Sequence, residues 1–414
     1  MRKRAAADGR TINAEGEGPA RCVSPTASAA TSAAARLAVI DLLRGMAIAF
    51  MVLDHTREFF HAQAFLFSPT DPTKTNAALF FTRWITHLCA PTFVFLAGAS
   101  IRLQQQRKSP VQLSRFLFAR GLWLILLELT AVGFGFNFAE PFVFLQVIWA
   151  IGIGMVLMAA LSRAPARAVL LVGLLVVGGH QAFASFMSTR IGGSGSLWTL
   201  LMSLGRPPFL PGLVAYPMVP WFGVMCLGFG LGGVFQQPPR ERRRSIAALS
   251  AGAIVLFVIL RLLNGYGDPQ PWTSQPSLLQ TVFAFLDLSK YPPSTLFVLA
   301  TLGVALAACL GLERLPATVQ KPLIAFGRTP LFTYLIHIYL LHGLAVALGA
   351  AMGFKLGLFA NFISDPSRLA AARWGVELPA VYAIWLAVLA VLFPLSSWFA
   401  EIRRQRSDWW LSYL

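Results

Sequence analysis

Several apolar stretches of this chain run for 18 or more residues without a charged side chain, and they restrict its fold more than any other feature. A helix of about 20 apolar residues spans a hydrocarbon core about 30 Å thick. The stretches lie at 145–162, 168–189, 207–239, 291–312, 329–354 and 378–400, and four more with embedded charges lie at 37–59, 77–103, 113–135 and 245–265. The sequence therefore predicts an all-α polytopic membrane protein with about ten transmembrane helices.

The composition agrees with a protein solvated by lipid. Of the 414 residues, 56% are hydrophobic and 12% are charged, whereas an ordinary soluble domain has about a quarter charged residues. The net charge of +17 would suggest nucleic-acid binding in a soluble protein. In a membrane protein, the first explanation for such an excess is an asymmetry between the loops on the two sides.

The positions of the basic residues predict the orientation of the chain. If the N-terminus is cytoplasmic, 22 Lys and Arg residues fall on the cytoplasmic side and 7 fall on the other. The positive-inside rule then places both termini in the cytoplasm, which removes the nucleic-acid interpretation. We predict a disordered cytoplasmic tail at 1–36, a membrane domain at 37–400 and a basic, aromatic tail at 401–414.

The first predicted span carries ionisable residues along one helix face. Asp41 and Arg44 are three residues apart and can pair, His55 returns to nearly the same face, and Glu58 follows. Arg44 and His55 are roughly 16 Å apart along the helix axis, with His55 towards the outside. Ionisable groups inside a membrane are costly and indicate functional sites by default, although Asp41 and Arg44 could simply neutralise each other.

His55 is the leading candidate for a general base. Asp54 and His61 lie close by, imidazole titrates near neutrality, and a carboxylate can orient it. The alternative is an interfacial histidine at a helix end. The other candidates within spans are Arg83 and His87 in the second, Arg120 and Glu128 in the third, and Tyr334, His337 and His342 in the ninth. Glu128 must find a partner, and Arg83 or Arg120 could form a structural ion pair with it.

An ordered set of motifs carries a family resemblance. These motifs are IDLLRGMAIAFMVLDHTREFF, FFTRWITHLCAPTFVFLAGASIRL, RGLWLILLELT, PWFGVMCLGFGLG, LSKYPPSTLF and FGRTPLFTYLIHIYLLH. Over about residues 36–412 the chain resembles the bacterial DUF1624 proteins, which contain a heparan-α-glucosaminide N-acetyltransferase catalytic domain. The resemblance implies a multi-pass acyltransferase of the bacterial inner membrane. It would use cytoplasmic acyl-CoA, most simply acetyl-CoA, as co-substrate and a sugar or glycan as acceptor, and a homodimer is an analogy with the lysosomal relative.

The resemblance leaves the identity of the base open. Where the lysosomal enzyme has an Asn, this chain has His55, and His61 is the nearest match to that enzyme's proposed catalytic histidine in the outer loop. We expect His55 or His61 to deprotonate an acceptor hydroxyl or amine, with Asp54 orienting the ring. The oxyanion could be stabilised by Arg44, Tyr334 or His337. A covalent acyl-histidine is the alternative route.

The remaining expectations concern binding. We expect Arg44, Arg115, Arg120 and Arg328 to hold the CoA phosphates. The expected acceptor-binding residues are Asp41, Arg44, Glu58, Arg83, His87, Glu128, Lys290 and Tyr334. No metal site, disulfide framework or tightly bound cofactor is predicted from the four separated cysteines or from any motif.

Two other functions remain open at the sequence level. Embedded Asp, Glu, Arg and His residues are also typical of proton-coupled carriers, so the chain could be a transporter or exporter of a small molecule or glycolipid. It could also be a membrane scaffold without catalytic activity. Acceptor-dependent release of free CoA separates the acyltransferase from both.

Overall fold

The computed structural model describes residues 25–140, 142–191, 195–206, 211–406, 408, 411 and 413. Two short strands are β1 (Val143–Leu145) and β2 (Gly212–Val214). The α-helices are α1 (Pro25–Phe60), α2 (Ala77–Thr86), α3 (Cys89–Gln104), α4 (Pro110–Leu127), α5 (Gly133–Phe136), α6 (Val147–Leu161), α7 (Ala166–Ile191), α8 (Ser196–Met202), α9 (Met218–Leu231), α10 (Pro239–Leu263), α11 (Leu278–Leu286), α12 (Thr295–Leu312), α13 (Ala317–Arg328), α14 (Pro330–Ala351), α15 (Pro366–Ala371) and α16 (Leu378–Gln405). A π-helical segment at Glu128–Val132 joins α4 to α5, and 3₁₀ turns lie at Gly232–Gln236 and Leu356–Leu358.

The protein is an all-α polytopic membrane protein, as the sequence predicted. Within the described residues, eight helical segments are long and apolar enough to cross a membrane. They are Ala77–Gln104, Pro110–Phe136, Ala166–Arg190, Met218–Gln236, Pro239–Leu263, Thr295–Leu312, Pro330–Ala351 and Leu378–Gln405. The two remaining predicted spans correspond to α1, which carries several charges, and to the shorter apolar helix α6.

The predicted tails overlap helices at both ends of the membrane domain. Helix α1 begins at Pro25, inside the predicted tail 1–36, and the first 24 residues of that tail lie outside the described residues. Helix α16 continues to Gln405, inside the predicted tail 401–414.

Helix α1 lies at the centre of the bundle. It packs against α2, α3, α12, α13, α14 and α16, and most of its side chains from residue 39 to residue 60 are buried. The crossing with α13 is close because each helix presents a glycine to the other. A Cβ atom on Gly45 would lie 1.8 Å from the Leu323 carbonyl oxygen, and one on Gly327 would lie 1.9 Å from the Asp41 carbonyl oxygen. Small residues permit such backbone approach between membrane helices.

A two-stranded parallel sheet lies beside the centre of the bundle. Val143, Phe144 and Leu145 of β1 pair with Gly212, Leu213 and Val214 of β2. Gly212 is required here because a Cβ atom would lie 2.1 Å from the Val143 carbonyl oxygen. The pairing fixes the chain just before α6 and just before α9.

Arg261 organises the loop that follows α10. Its guanidinium donates to the carbonyl oxygens of Ala284, Phe285 and Asp287 at the end of α11, and to that of Gln270. A cation at a helix C-terminus satisfies carbonyl groups that lack intrahelical partners. Arg261, the embedded charge of the predicted span 245–265, therefore anchors the segment that leads to Lys290.

The α1–α13 crossing can be tested with Gly45→Ala. We expect a loss of about 1–3 kcal/mol or more in the free energy of unfolding, because a backbone carbonyl occupies the position of the new methyl group. Gly343→Ala is the matched control, since nothing lies within 4 Å of its Cβ position. Thermal unfolding in detergent should show a lower midpoint for Gly45→Ala alone; equal midpoints would contradict the close crossing.

Candidate functional site

Two buried histidines from distant helices meet at the centre of the bundle. The Nδ1 atom of His55 on α1 lies 2.7 Å from the Nε2 atom of His337 on α14, and the two ring planes are nearly parallel with their centres 5.0 Å apart. Phe136 packs edge-on against His55, and Tyr334 lies beside both imidazoles. This juxtaposition joins residues that are 282 positions apart in the sequence.

The hydrogen bonds around the pair determine which nitrogen of His55 can accept a proton. His337 Nδ1 lies 3.2 Å from the Thr333 carbonyl oxygen, which can only accept, so that nitrogen carries the hydrogen. In the neutral ring, His337 Nε2 is then an acceptor, and His55 Nδ1–H donates to it. The lone pair of His55 is consequently on Nε2.

Asp54 belongs to a separate, buried ionic cluster. Its Oδ2 atom lies 2.7 Å from Arg83 Nη1 and 3.9 Å from Lys290 Nζ, and its Oδ1 atom lies 3.2 Å from Arg57 Nη2. Thr86 donates to the same carboxylate. The expectation that Asp54 orients the His55 ring is therefore wrong, because His337 is the hydrogen-bond partner of that ring and three cations surround the carboxylate.

His61 uses its ring nitrogen for local structure. It follows the end of α1, where its Nδ1 atom accepts a hydrogen bond of 3.3 Å from the Gln63 backbone N–H. Burial lowers the pKa of His61, with a further contribution from Arg57, so the ring is neutral near pH 7. In that neutral ring Nε2 carries the hydrogen, and the lone pair on Nδ1 is already engaged.

Glu128 interacts with a helix N-terminus rather than with Arg83. Its Oε1 atom accepts a hydrogen bond from the backbone N–H of Gln146, the N-cap residue of α6. A carboxylate is stabilised there by the partial positive charge of the helix N-terminus. Of the two predicted partners of Glu128, Arg83 is wrong because its guanidinium is bound to Asp54, and the pairing with Arg120 stays a prediction.

A cavity of about 430 Å³ opens at the end of the bundle that is predicted to be cytoplasmic; we call it the basic cavity. Among its described lining residues, none is acidic and five are basic, namely Arg44, Lys108, Arg120, Arg328 and Arg403. Its deeper wall is apolar and includes Ile48, Leu124 and Met155, and Tyr334 also lines it.

Three of the predicted phosphate ligands line the basic cavity, and one does not. Arg44 is held by Ser100 and by the Gly327 carbonyl oxygen, and it lies 3.5 Å from Asp41, which confirms that pairing. Arg115 is instead exposed on the surface of α4. It lies five residues before Arg120, which places it about 140° around the helix from the side chain that faces the cavity.

Two further cavities continue towards the opposite end of the bundle. A central cavity of about 50 Å³ is lined by Asp54, His55, Glu58, Cys89, Gln146, Tyr216 and Lys290, among others. It shares Met51, Phe93 and Val147 with the basic cavity. An outer cavity of about 420 Å³ includes Arg57, Arg83 and His87, and it shares Glu58 and Lys290 with the central one. The three cavities therefore follow one another along α1, with His55 at the narrow middle.

Sequence reasoning does not identify several lining residues, among them Lys108, Arg403 and Gln146. Lys108 and Arg403 were grouped with the loop residues that set orientation, and their basic character was the available signal. Gln146 is uncharged and opens an apolar run, so only its position as the first polar residue of that run could have identified it.

Among the described residues, no group of three His, Cys, Asp or Glu side chains could hold a metal ion.

A comparison with protein families identifies a match over the first part of the membrane domain. The profile of the family described as heparan-alpha-glucosaminide N-acetyltransferase, catalytic, matches residues 36–262, more than half of the chain. The matched segment contains His55, Arg83 and Gln146, whereas Tyr334 and His337 lie after it. No curated protein matches the chain.

The ionic cluster yields a prediction about Asp54. We expect Asp54→Asn to lower the free energy of unfolding by about 3–5 kcal/mol. The three buried cations Arg57, Arg83 and Lys290 would then have Glu58 as the one acidic side chain left in the cluster. Adding Arg83→Met should recover part of the loss. Asp365→Asn, in a surface pair with Arg368, should change stability by at most about 1 kcal/mol. Denaturant unfolding in detergent measures all three variants against the wild-type protein; a fully stable Asp54→Asn would contradict a structural role.

Proposed function

The chain belongs to the heparan-α-glucosaminide N-acetyltransferase catalytic family, and on that premise we propose that it is a transmembrane acyltransferase. It transfers an acyl group, most simply acetyl, from cytoplasmic acyl-CoA to a hydroxyl or amine of an extracytoplasmic sugar or glycan. The proposed location is the bacterial inner membrane, with both termini in the cytoplasm. The cation asymmetry between the loops supports that orientation.

The observation that carries the proposal is the series of cavities meeting at His55. A donor and an acceptor that stay on opposite sides of a membrane can react only where paths from both sides meet. The basic cavity and the outer cavity each reach the small central cavity that His55 lines. A carrier for a bulky solute would need a wider passage than the central 50 Å³.

The basic cavity suits a CoA thioester. Five cations line it, of which Arg44 and Arg328 also contact Asp41, and such a cluster attracts phosphate groups. Arg in particular binds phosphate by directed hydrogen bonds. Arg44 and His55 are eleven residues apart on one helix, roughly 16 Å along its axis. The thin pantetheine arm would cover that distance between apolar walls and bring the thioester to the imidazole.

The chemistry follows from the tautomer of His55. Its Nε2 atom would take the proton from the acceptor hydroxyl or amine as that group attacks the thioester carbonyl. A new C–O or C–N bond forms, the C–S bond breaks, and the imidazolium returns the proton to the CoA sulfur. His337 is a positioning residue here. Its bond to the Thr333 carbonyl oxygen fixes its own tautomer, and its Nε2 atom then accepts the hydrogen bond from His55 Nδ1–H that orients the His55 ring. His61 is disfavoured as the base because Gln63 occupies its lone pair.

Substitution of the two histidines tests the proposal. We expect His55→Gln to lower acceptor-dependent release of CoA from acetyl-CoA by about 10²–10⁴-fold, because the general base is lost. His61→Gln is the matched control and should retain turnover within a few fold. The assay uses purified protein in detergent with glucosamine and neutral hexoses as acceptors, and it follows free thiol. Transport of solute without CoA release by the wild-type protein would instead support the carrier, and unchanged turnover in His55→Gln would remove His55 as the base.

A second test concerns the donor site. We expect Arg120→Gln to raise the KM for acetyl-CoA by about tenfold, since a charge-assisted hydrogen bond to phosphate contributes about 1.5–3 kcal/mol. Arg115→Gln removes an equal charge from the surface of the same helix and should leave the KM unchanged. Equal effects of the two substitutions at several salt concentrations would indicate general electrostatic attraction rather than a defined phosphate contact.

A further inference from the structure

Two buried hydrogen-bond donors near the histidine pair have no partner among the described residues. They are the hydroxyl of Tyr334 on α14 and the amide nitrogen of Gln146 at the start of α6. Tyr334 is 3% exposed and Gln146 is 8% exposed. A buried polar group without a partner costs about 1–3 kcal/mol, so it calls for an explanation such as a catalytic role or an absent ligand.

Both donors lie where the basic cavity meets the central cavity. The Tyr334 ring is 6.4 Å from the His55 ring, and Tyr334 lines the basic cavity. Gln146 lines the central cavity together with His55. Val147, the residue after Gln146, lines both cavities and so marks the junction between them. Tyr334 therefore borders the basic cavity and Gln146 borders the central cavity, and each lies near His55.

We propose that Tyr334 and Gln146 form the oxyanion hole for the acyl transfer, an inference that rests on the proposed function. When the acceptor oxygen or nitrogen attacks the thioester carbon, the π electrons of the carbonyl move to its oxygen, which becomes an oxyanion. The Tyr334 hydroxyl and the Gln146 amide donate to that oxyanion. The oxyanion then reforms the carbonyl, the C–S bond breaks, and CoA leaves with the proton held by His55.

The local structure holds Gln146 in place. The β1–β2 pairing fixes the preceding residue, Leu145, whose carbonyl oxygen accepts hydrogen bonds from the backbone N–H groups of Ala215 and Tyr216. Glu128 then accepts the Gln146 backbone N–H at the start of α6. Glu128 is thus a positioning residue for the proposed donor. Preorganised donors stabilise a transition state without reorganisation during the reaction.

Tyr339 provides the contrast that makes the proposal testable. It lies on the same helix five residues after Tyr334, but its hydroxyl donates to the Ala131 carbonyl oxygen at 2.6 Å. Removal of that hydroxyl takes a donor from the half-buried Ala131 carbonyl oxygen, whereas the Tyr334 hydroxyl has no partner among the described residues to lose. A structural and a catalytic hydroxyl should therefore respond in opposite ways to Tyr→Phe.

The experiment compares Tyr334→Phe, Gln146→Met and Tyr339→Phe in the full chain, with acetyl-CoA as donor and glucosamine as acceptor. We expect Tyr334→Phe and Gln146→Met each to lower kcat by about 10²–10³-fold, with the KM for acetyl-CoA changed less than threefold. Their pH profiles and their thermal midpoints should stay close to wild type. Tyr339→Phe should lower the thermal midpoint and keep kcat.

Binding of an unreactive CoA thioether separates catalysis from donor binding. We expect its Kd to be unchanged in Tyr334→Phe and Gln146→Met, because a thioether without the carbonyl forms no oxyanion. The proposal is overturned if both variants keep kcat within twofold, or if their loss of rate comes with an equal loss of thioether affinity. If either result is found while His55→Gln is inactive, the proposed acyltransferase function stands and only the oxyanion hole is rejected. If the wild-type protein releases no CoA, the proposed acyltransferase function is rejected instead.

Discussion

The burial of α1 is the constraint on which the rest of the structure depends. This helix brings carboxylates, guanidinium groups and an imidazole into a bundle solvated by lipid, where unpaired charges are costly. Six helices surround it, and its two aspartates are met by cations: Asp41 by Arg44 and Arg328, and Asp54 by Arg57, Arg83 and Lys290. The glycine contacts with α13 allow the enclosing helices to approach closely enough to exclude lipid.

The same enclosure leaves a narrow passage instead of a solid core. Large side chains fill the bundle near its middle, but the basic and outer cavities remain on either side of His55. A wide channel would let water and ions cross, whereas a solid core would separate donor from acceptor. Two pockets joined by a narrow middle satisfy both limits, and they would place His55, the proposed base, at the point where the two sides meet.

Much of the fold was predictable because lipid imposes simple rules on a sequence. Uncharged apolar runs located the spans, and Asp41 with Arg44 was recognised as a pair from spacing alone. The errors concern residues whose partners come from distant helices. Asp54 was expected beside His55, its neighbour in sequence, but consecutive helical residues point about 100° apart. Glu128 is predicted to need a cation, but its side chain accepts a hydrogen bond at the N-terminus of α6 instead.

The sequence by itself determined the membrane fold, its predicted orientation and the family, because hydropathy, charge asymmetry and ordered motifs are properties of local segments. It also supplied the candidate chemistry, since imidazole, guanidinium and carboxylate groups within spans are rare and conspicuous. Only the tertiary structure decided which of these groups meet. The contact of His55 with His337 and the surrounding of Asp54 by cations arise where helices far apart in sequence cross. The same holds for the donors of Tyr334 and Gln146, which have no partner in the described part of the chain. Such crossings depend on side-chain packing across the whole bundle, which no local pattern encodes.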